Sequence, residues 1–192
     1  MNKEEIRRNV FIQRLSLTSE EIENKSKQIF LNLLKSEEYI NFPNIMFYVA
    51  TRSEVQTKEM IKTSIKMGKN IFVPIILTES INLIPSKLND FDRELEKGKK
   101  GIYEPKQEYR RLFSPEDIDL IITPGIAFDI KGNRIGRGCG YYDNFLRNIC
   151  PSVQIIALAF EIQIVKNIPT DPNDIPVHKI ITEKRIINII SI

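Results

Sequence analysis

The feature that most constrains the fold is an apolar segment, a helix pattern and a second apolar segment in direct succession. Residues 45–49 (IMFYV) have the composition of a buried strand, and residues 71–73 (IFV) have that of another. Residues 57–67, between them, have the pattern of a helix that ends at Gly68. Strands joined through a helix run parallel, so this unit predicts a parallel sheet with helices packed on its faces.

The remaining segments extend the same plan. Thr18 and Glu21 predict a capping box at the start of a second helix, and Leu17 and Ile22 have the spacing of a hydrophobic staple. We therefore predict a Rossmann-like three-layer α/β/α fold, with an open, mostly parallel sheet and helices on both faces, as a single domain over residues 1–192. The other predicted elements are helices at 2–14 and 143–148, a β excursion at 79–95, a charged surface loop at 93–111, and strands at 118–123, 155–159, 180–182 and 186–190.

Charge and cysteine content exclude several classes of protein. The 192 residues include 28 Lys and Arg against 25 Asp and Glu, and a net charge of +3 is too small for a protein that binds nucleic acid phosphates. Two cysteines, Cys139 and Cys150, are too few for a disulfide framework and wrongly spaced for a zinc site. The first residues contain no apolar signal segment, and the longest apolar run, 155–160, is too short to span a membrane. We expect a cytoplasmic monomer without nucleic acid or membrane partners.

Four of the chain's eight glycines fall within nine residues of one loop. Gly132, Gly136, Gly138 and Gly140 lie within residues 124–143 (PGIAFDIKGNRIGRGCGYYD), between a predicted strand and a predicted helix. Glycine lets the backbone approach a ligand closely, and successive backbone N–H groups in such a turn form an anion-binding nest. Arginines add bidentate contacts to phosphate, and the start of a helix favours an anion. The loop therefore predicts a ligand that carries phosphate.

The loop matches neither common nucleotide motif. It lacks the GxxxxGK[ST] pattern of a P-loop and the GxGxxG spacing of a dinucleotide fingerprint. The residues alone also allow an alternative to a phosphate site. In that interpretation the glycines serve only the geometry of a turn, and the arginines are solvated.

The same loop resembles the signature of the 5-formyltetrahydrofolate cyclo-ligase family, also called 5,10-methenyltetrahydrofolate synthetase, which reads PG-aFD–GnRlGrG-GYYD. The resemblance extends over essentially the whole chain. Lys3 and Arg7 resemble the family's N-terminal Lys-x-x-x-Arg element, and residues 53–57 (SEVQT) resemble its G-E-V-x-T segment. Residues 103–105 (YEP) resemble its E-P segment, and residues 157–161 and 169–176 resemble its closing elements.

The resemblance implies a reaction. The family converts 5-formyltetrahydrofolate and ATP to 5,10-methenyltetrahydrofolate, ADP and phosphate, with Mg²⁺. The formyl oxygen takes the γ-phosphoryl group, N10 then closes the ring, and phosphate leaves. Such a reaction requires positioning and charge neutralisation rather than a protein nucleophile.

The resemblance also assigns roles by position. Arg134, Arg137 and Tyr142 are the expected catalytic residues, Asp143 and Asp174 match the Mg²⁺ positions, and the basic segment 97–106 is expected to meet the anionic glutamate tail of folate. The expected ATP-binding residues are Lys3, Arg7, Arg134, Gly136, Arg137, Gly138, Cys139, Gly140, Tyr141 and Tyr142. The expected substrate-binding residues are Val49, Glu54, Tyr103, Glu104, Pro105 and Tyr141.

Two residues depart from the family pattern. Cys139 stands inside GRGCG, where a positive φ would strain it, and we interpret it as incidental rather than nucleophilic. His178 stands where the family commonly has Asp, at a position that we do not connect with catalysis.

Two alternative functions stay open. One is an ATP-dependent ligase or kinase for another small molecule, and the other is a folate- or nucleotide-binding module without catalysis. Binding of RNA is disfavoured because the chain lacks an RNP-type aromatic motif.

Overall fold

The structure, a computed structural model, describes residues 1–77, 79–98 and 101–189. The helices are α1 (Lys3–Leu15), α2 (Ser19–Leu33), α3 (Glu37–Asn41), α4 (Lys58–Lys66), α5 (Phe91–Glu94) and α6 (Tyr141–Arg147). The strands are β1 (Asn44–Phe47), β2 (Asn70–Leu77), β3 (Asn82–Leu88), β4 (Leu95–Lys97), β5 (Tyr103–Pro105), β6 (Leu120–Thr123), β7 (Ala127–Asp129), β8 (Arg134–Ile135), β9 (Gln154–Leu158), β10 (Ile164–Val165), β11 (Lys179–Ile181) and β12 (Ile186–Asn188).

Seven strands form the main sheet, in the order β12-β11-β9-β6-β1-β2-β3. The five inner strands are parallel, and β3 and β12 add antiparallel edges. The strand order reverses between β1 and β6, because β2 lies on one side of β1 while β6, β9 and β11 follow on the other. The expectation of an open, mostly parallel sheet is confirmed.

Alternate residues of the strands face opposite layers. Ile45 and Phe47 of β1 belong to a core cluster with side chains of α2 and α4. Met46, between them, belongs to a second cluster with Phe145 and Leu146 of α6. Because successive strand residues point to opposite faces, this division places helices on both sides of the sheet and confirms the three-layer arrangement.

Local signals set the helix ends. Thr18 accepts a hydrogen bond from the Glu21 amide while the Glu21 carboxylate accepts one from the Thr18 amide, as the capping box predicted. Asn2 and Glu5 form a second capping box at the start of α1, which the sequence analysis did not identify. Gly68, at a φ of +83°, follows the end of α4.

The charged segment 93–111 is not simply a surface loop, and that prediction is wrong for its described part. Strands β4 and β5 pair as a hairpin within it. Glu94 is buried and accepts two hydrogen bonds from Arg111, at 2.9 and 3.0 Å, so this pair ties the end of the segment to its start. An ion pair on a buried carboxylate gives this charged segment a fixed conformation that composition alone does not reveal. The expected strand 186–190 ends at Asn188, and its last residue lies outside the described part.

The chain was expected to lack a membrane partner. Within the described residues, no helix is both long enough and apolar enough to cross a bilayer.

Candidate active site

A cavity of about 480 Å³ lies beyond the carboxyl ends of β1 and β6. Tyr48 and Val49, which directly follow β1, and Pro124 and Gly125, which directly follow β6, contribute to its wall. Open α/β sheets bind ligands where the strand order reverses, and this cavity lies at that point. The first turns of α1 and the glycine loop also contribute to the wall.

Asp129, at the end of β7, organises the glycine loop. Its buried carboxylate accepts hydrogen bonds from the amides of Lys131 and Asn133, and from the amide of Ile168 across the chain. Gly132 closes the turn at a φ of +86°, and a β-carbon there would lie 2.4 Å from the Val177 carbonyl oxygen. This turn pairs β7 with β8 and fixes Arg134 at the cavity.

Arg134 is buried, with 2% of its side chain exposed, and forms an ion pair with Asp143 at 2.6 Å. Its guanidinium carbon lies 5.8 Å from the centre of the Tyr142 ring. Burial lowers the pKa of Arg134, while the carboxylates of Asp143 and Asp174 oppose this shift. The acidic side chains thus stabilise a cation that is fixed in the cavity wall.

The Tyr142 hydroxyl is buried and has no hydrogen-bond partner among the described residues. Burial raises the pKa of Tyr142, and the negative charge of Glu54 adds to this effect. The hydroxyl therefore keeps its proton and can donate a hydrogen bond to a ligand in the cavity.

Arg137 connects the glycine loop to the segment after β1. Its Nη2 donates to the Glu54 carboxylate at 2.8 Å and to the Thr51 hydroxyl. Glu54 is buried and also accepts from the Thr51 amide at 2.8 Å. Arg137, expected to bind ATP, and Glu54, expected to bind the folate substrate, are thus partners of each other.

Lys3 and Arg7 of α1 reach the cavity from its other side. The Lys3 ammonium contacts the carboxylates of Asp171 and Asp174, and Arg7 donates to the Gly136 carbonyl oxygen at 3.0 Å. Burial alone would raise the pKa of Asp174, but hydrogen bonds from Lys3 and the Asp171 amide outweigh it, so the pKa lies below its usual value. Asp174 is therefore a carboxylate with its charge intact at neutral pH.

The glycines of GRGCG have distinct conformations. Gly138 and Gly140 have φ of +96° and +72°, which side chains rarely adopt. Ile81 is the one non-glycine residue with positive φ in the described part, so Cys139 takes an ordinary backbone conformation without that strain. Its thiol is free and exposed.

Asp143 and Asp174 both line the cavity and fit the expected Mg²⁺ site by their chemistry. Mg²⁺ prefers oxygen ligands and is usually held by one or two carboxylates together with substrate phosphates and waters. The described residues contain no cluster of three potential metal-ligating side chains, so protein ligands alone do not form a closed metal cage there.

The cavity brings together most of the residues expected from the sequence. They are Lys3, Arg7, Val49, Glu54, Arg134, Gly136, Arg137, Gly138, Cys139, Gly140, Tyr141, Tyr142, Asp143 and Asp174. Tyr103, Glu104 and Pro105 form β5 and are not part of the wall, although the adjacent Ile102 is. Their role in substrate binding stays a prediction.

Sequence reasoning missed a further set of wall residues. They include Tyr48, Thr51, Pro74, Ile76, Leu83 and Asp171. Tyr48 lies near the end of the strand predicted at 45–49, and the rule that ligands bind at strand ends could have identified it. The apolar residues of β2 and β3 carry no local signal, because strand pairing alone brings them to the cavity.

Comparison with known proteins agrees with the chemistry of this cavity. Residues 1–183 match the model of the 5-formyltetrahydrofolate cyclo-ligase family. The chain is 31% identical to the 5-formyltetrahydrofolate cyclo-ligase of Haemophilus influenzae, over 86% of this chain and 88% of that protein. It is 32% identical to the enzyme of that name from Mus musculus, over 89% of each chain. The NMR structure of Aquifex aeolicus 5,10-methenyltetrahydrofolate synthetase superposes with a TM-score of 0.85 at 30% identity, covering 98% of this chain and 93% of that one.

Proposed function

This chain belongs to the 5-formyltetrahydrofolate cyclo-ligase family, and we propose that its cavity closes the ring of 5-formyltetrahydrofolate with ATP, releasing 5,10-methenyltetrahydrofolate, ADP and phosphate. The observation that carries the proposal is the 2.8 Å ion pair between Arg137 and Glu54. It joins a loop suited to phosphate to a carboxylate suited to the N–H groups of a pterin, within one cavity. A phosphoryl group can therefore be placed beside the formyl group of the folate.

The phosphate side of the site consists of four cations and a backbone turn. Lys3, Arg7, Arg134 and Arg137 line the same cavity as the backbone of Gly138 and Gly140. Arginine binds phosphate oxygens bidentately, and fixed positive charge stabilises the phosphoryl group during transfer. Tyr142 donates its unused hydroxyl hydrogen to an oxygen of the reacting group.

The folate side is built on Glu54 and Val49. An ionised carboxylate accepts two hydrogen bonds, which matches the adjacent N–H groups of a pterin. The Arg137 guanidinium donates to one oxygen of the Glu54 carboxylate. The phosphate therefore has to replace Glu54 as the partner of Arg137, and the pterin has to replace Arg137 as the partner of Glu54. Binding of both substrates turns an internal ion pair into two contacts with ligands.

We place Mg²⁺ at Asp143 and Asp174, which line the phosphate side of the cavity. The ion supplies positive charge against the phosphate oxygens of ATP. Arg134 and Lys3, the present partners of these carboxylates, then become available to the substrate phosphates.

The test is to mix the protein with Mg²⁺, ATP and (6S)-5-formyltetrahydrofolate and to follow the methenyl chromophore and the release of ADP. We expect both products in equal amounts, and neither after chelation of Mg²⁺. Folded protein that forms no chromophore would disprove the proposal. ATP turnover with a different acyl or amine substrate would then indicate another ligase or kinase, and binding without turnover would indicate a binding module.

Two further expectations belong to the same proposal. The thiols of Cys139 and Cys150 are both free and exposed, which agrees with a reducing, cytoplasmic location. The second expectation is a monomeric enzyme. Sedimentation at working concentration tests the second expectation, and a stable dimer contradicts it.

A further inference from the structure

One buried cation has no role in the reaction proposed above. Arg14, in the last turn of α1, is 1% exposed and forms no ion pair with any described residue. Its Nη1 donates to the Gly125 carbonyl oxygen at 3.3 Å, while its Nε and Nη2 have no hydrogen-bond partner in the described part of the chain. A buried guanidinium without an anion costs free energy, so these contacts alone do not account for its position.

Arg14 lies within electrostatic reach of the ion pair between Glu54 and Arg137. Burial lowers the pKa of Arg14, the negative charge of Glu54 raises it, and the positive charge of Arg137 lowers it. Gly125, which accepts the hydrogen bond from Arg14, lines the cavity together with both residues of the pair. The Glu54 carboxylate therefore has two cations near it, Arg137 in direct contact at 2.8 Å and Arg14 beyond ion-pair distance.

The two cations differ in their freedom to move. The side chain of Arg137 is 48% exposed, so it can exchange one partner for another at the surface of the cavity. Arg14 is enclosed by the protein at the end of a helix and stays where it is. In the proposed reaction Arg137 leaves Glu54 for a phosphate of ATP, and Arg14 then remains as a fixed cation near the carboxylate.

Glu54 requires such a cation in order to bind a pterin. Its side chain is 9% exposed, and a buried carboxylate that loses its only cation takes up a proton more readily. A protonated carboxyl group gains a donor and loses acceptor capacity, which the N–H groups of a pterin need. Repulsion between the two guanidiniums acts in the same direction, because it lowers the cost of moving Arg137 away from Glu54.

Resting on the proposed function, we propose that Arg14 is a positioning residue, whose fixed positive charge keeps Glu54 an ionised acceptor for the pterin after Arg137 has turned to the phosphate of ATP. It acts through Glu54 and does not touch the reacting atoms.

The other groups around Glu54 do not supply this charge. Tyr48, after β1, and Tyr142 of α6 face it, and burial raises the pKa of both phenols while the charge of Glu54 adds to the effect, so both stay neutral. Arg52, in the same turn, is exposed and its charge is screened by water. Arg7 of α1 is directed to the backbone of the glycine loop, to which it donates at 3.0 Å.

The experiment compares Arg14→Gln with Arg14→Lys in steady-state kinetics. Glutamine keeps an N–H donor for the Gly125 carbonyl oxygen but has no charge, whereas lysine keeps the charge. We expect Arg14→Gln to raise the KM for 5-formyltetrahydrofolate about tenfold, with kcat and the KM for ATP changed far less, and Arg14→Lys to stay within about twofold of the unaltered protein. Equal effects of the two substitutions would reduce Arg14 to a structural residue and overturn the proposal.

The pH profile gives a second readout that a structural role does not move. The acidic limb of kcat/KM for the folate should shift to higher pH in Arg14→Gln and stay in place in Arg14→Lys, because only the first leaves Glu54 without a buried cation. An unshifted limb in folded Arg14→Gln protein refutes the proposal. If that variant does not fold, Arg14→Met takes its place, since methionine fills an apolar site without burying a polar group.

Unfolding of the ligand-free protein separates this inference from the proposed reaction. A double-mutant cycle of Arg14→Gln and Glu54→Gln should show a favourable coupling free energy, which grows in the Arg137→Gln background because Arg14 is then the remaining buried cation near Glu54. Coupling in a protein that forms no methenyl product supports the link between Arg14 and Glu54 and refutes the reaction. Methenyl formation without coupling supports the reaction and refutes the role of Arg14.

Discussion

Several charged side chains in the cavity have two alternative partners. One is the protein side chain with which each forms an ion pair, and the other is a group of a substrate or Mg²⁺ in the proposed reaction. Arg137 holds Glu54, Arg134 holds Asp143, and Lys3 holds Asp174. Each pair joins a cation suited to phosphate with an acid suited to the pterin or to Mg²⁺. These ion pairs neutralise the charges of the site within the protein.

The substitution Arg137→Gln tests whether Arg137, which contacts Thr51 and Glu54, contributes to catalysis. We expect kcat/KM to fall by about a hundredfold, because the transferred phosphoryl group loses a fixed positive charge. The free energy of unfolding should change little, because 48% of the side chain is exposed.

Arg185→Gln is the matched control for Arg137. Arg185 is 52% exposed and pairs with Glu161 at 2.6 Å, but it lies outside the cavity. Its loss should leave kcat/KM unchanged. Equal effects of the two substitutions on activity, or unfolding of the Arg137 variant, would show that Arg137 is a structural residue.

At the scale of elements, the glycine loop contains glycines required by packing and glycines required by their backbone conformation. Gly125 and Gly132 are required by packing, since a β-carbon would lie 2.3 Å from the Phe128 ring or 2.4 Å from the Val177 carbonyl oxygen. Gly138 and Gly140 have nothing of the fixed backbone within 4 Å of such an atom and are required for their positive φ. The sequence showed that glycine is concentrated here, but only the packing separates these two roles.

Gly132→Ala should destabilise the protein more than Gly68→Ala. Both glycines have positive φ, which costs an alanine about 1 kcal/mol. Gly68 has open space around it, whereas Gly132 also meets a carbonyl oxygen. Urea unfolding of both variants gives the comparison, and an equal loss of stability would show that the turn at Gly132 can move away from Val177.

The segment 93–111 marks the limit of sequence reasoning about elements. Its charge favours a solvated loop, yet the pairing of Glu94 with Arg111 supports a hairpin. Two charged residues that are distant in sequence leave no periodic pattern when they form an ion pair. The residues between Glu94 and Arg111 therefore do not predict that these two charges meet.

For the whole molecule, the sheet determines which distant residues share the cavity. Residues near both ends of the chain, such as Lys3 and Asp174, meet there because α1 crosses onto the small sheet of β7, β8 and β10. We propose that residues 1–192 form one folding unit, because the main sheet takes strands from along most of the described chain.

The stability of the whole molecule should fall as the pH drops below 6.5, with His178 as one cause. Burial lowers the pKa of His178 below its ordinary 6.5, although Glu38 opposes the shift. Its Nδ1 accepts a hydrogen bond from the Ile155 amide at 3.2 Å, which a protonated ring cannot do. The unfolded chain therefore binds the proton more readily, so the stabilisation is complete above 6.5 and is lost as the pH falls through the lower pKa of the folded state.

The measurement is the urea midpoint as a function of pH, compared with that of His178→Gln. Glutamine can still accept from Ile155 and does not titrate, so the midpoint of this variant should depend less on pH between neutral and mildly acidic conditions. Identical profiles would exclude His178 as a source of the dependence.

The sequence by itself determined the α/β class, the position of the glycine loop and the family, because these depend on short-range patterns: strand–helix–strand order, clustered glycines and a long motif. It also assigned most residues of the cavity through that motif. Only the tertiary structure decided the pairing of Arg137 with Glu54, the burial of Arg134 and the pairing of Lys3 with Asp174. These depend on which segments pack together in space, and packing is a property of the whole chain that no local pattern contains.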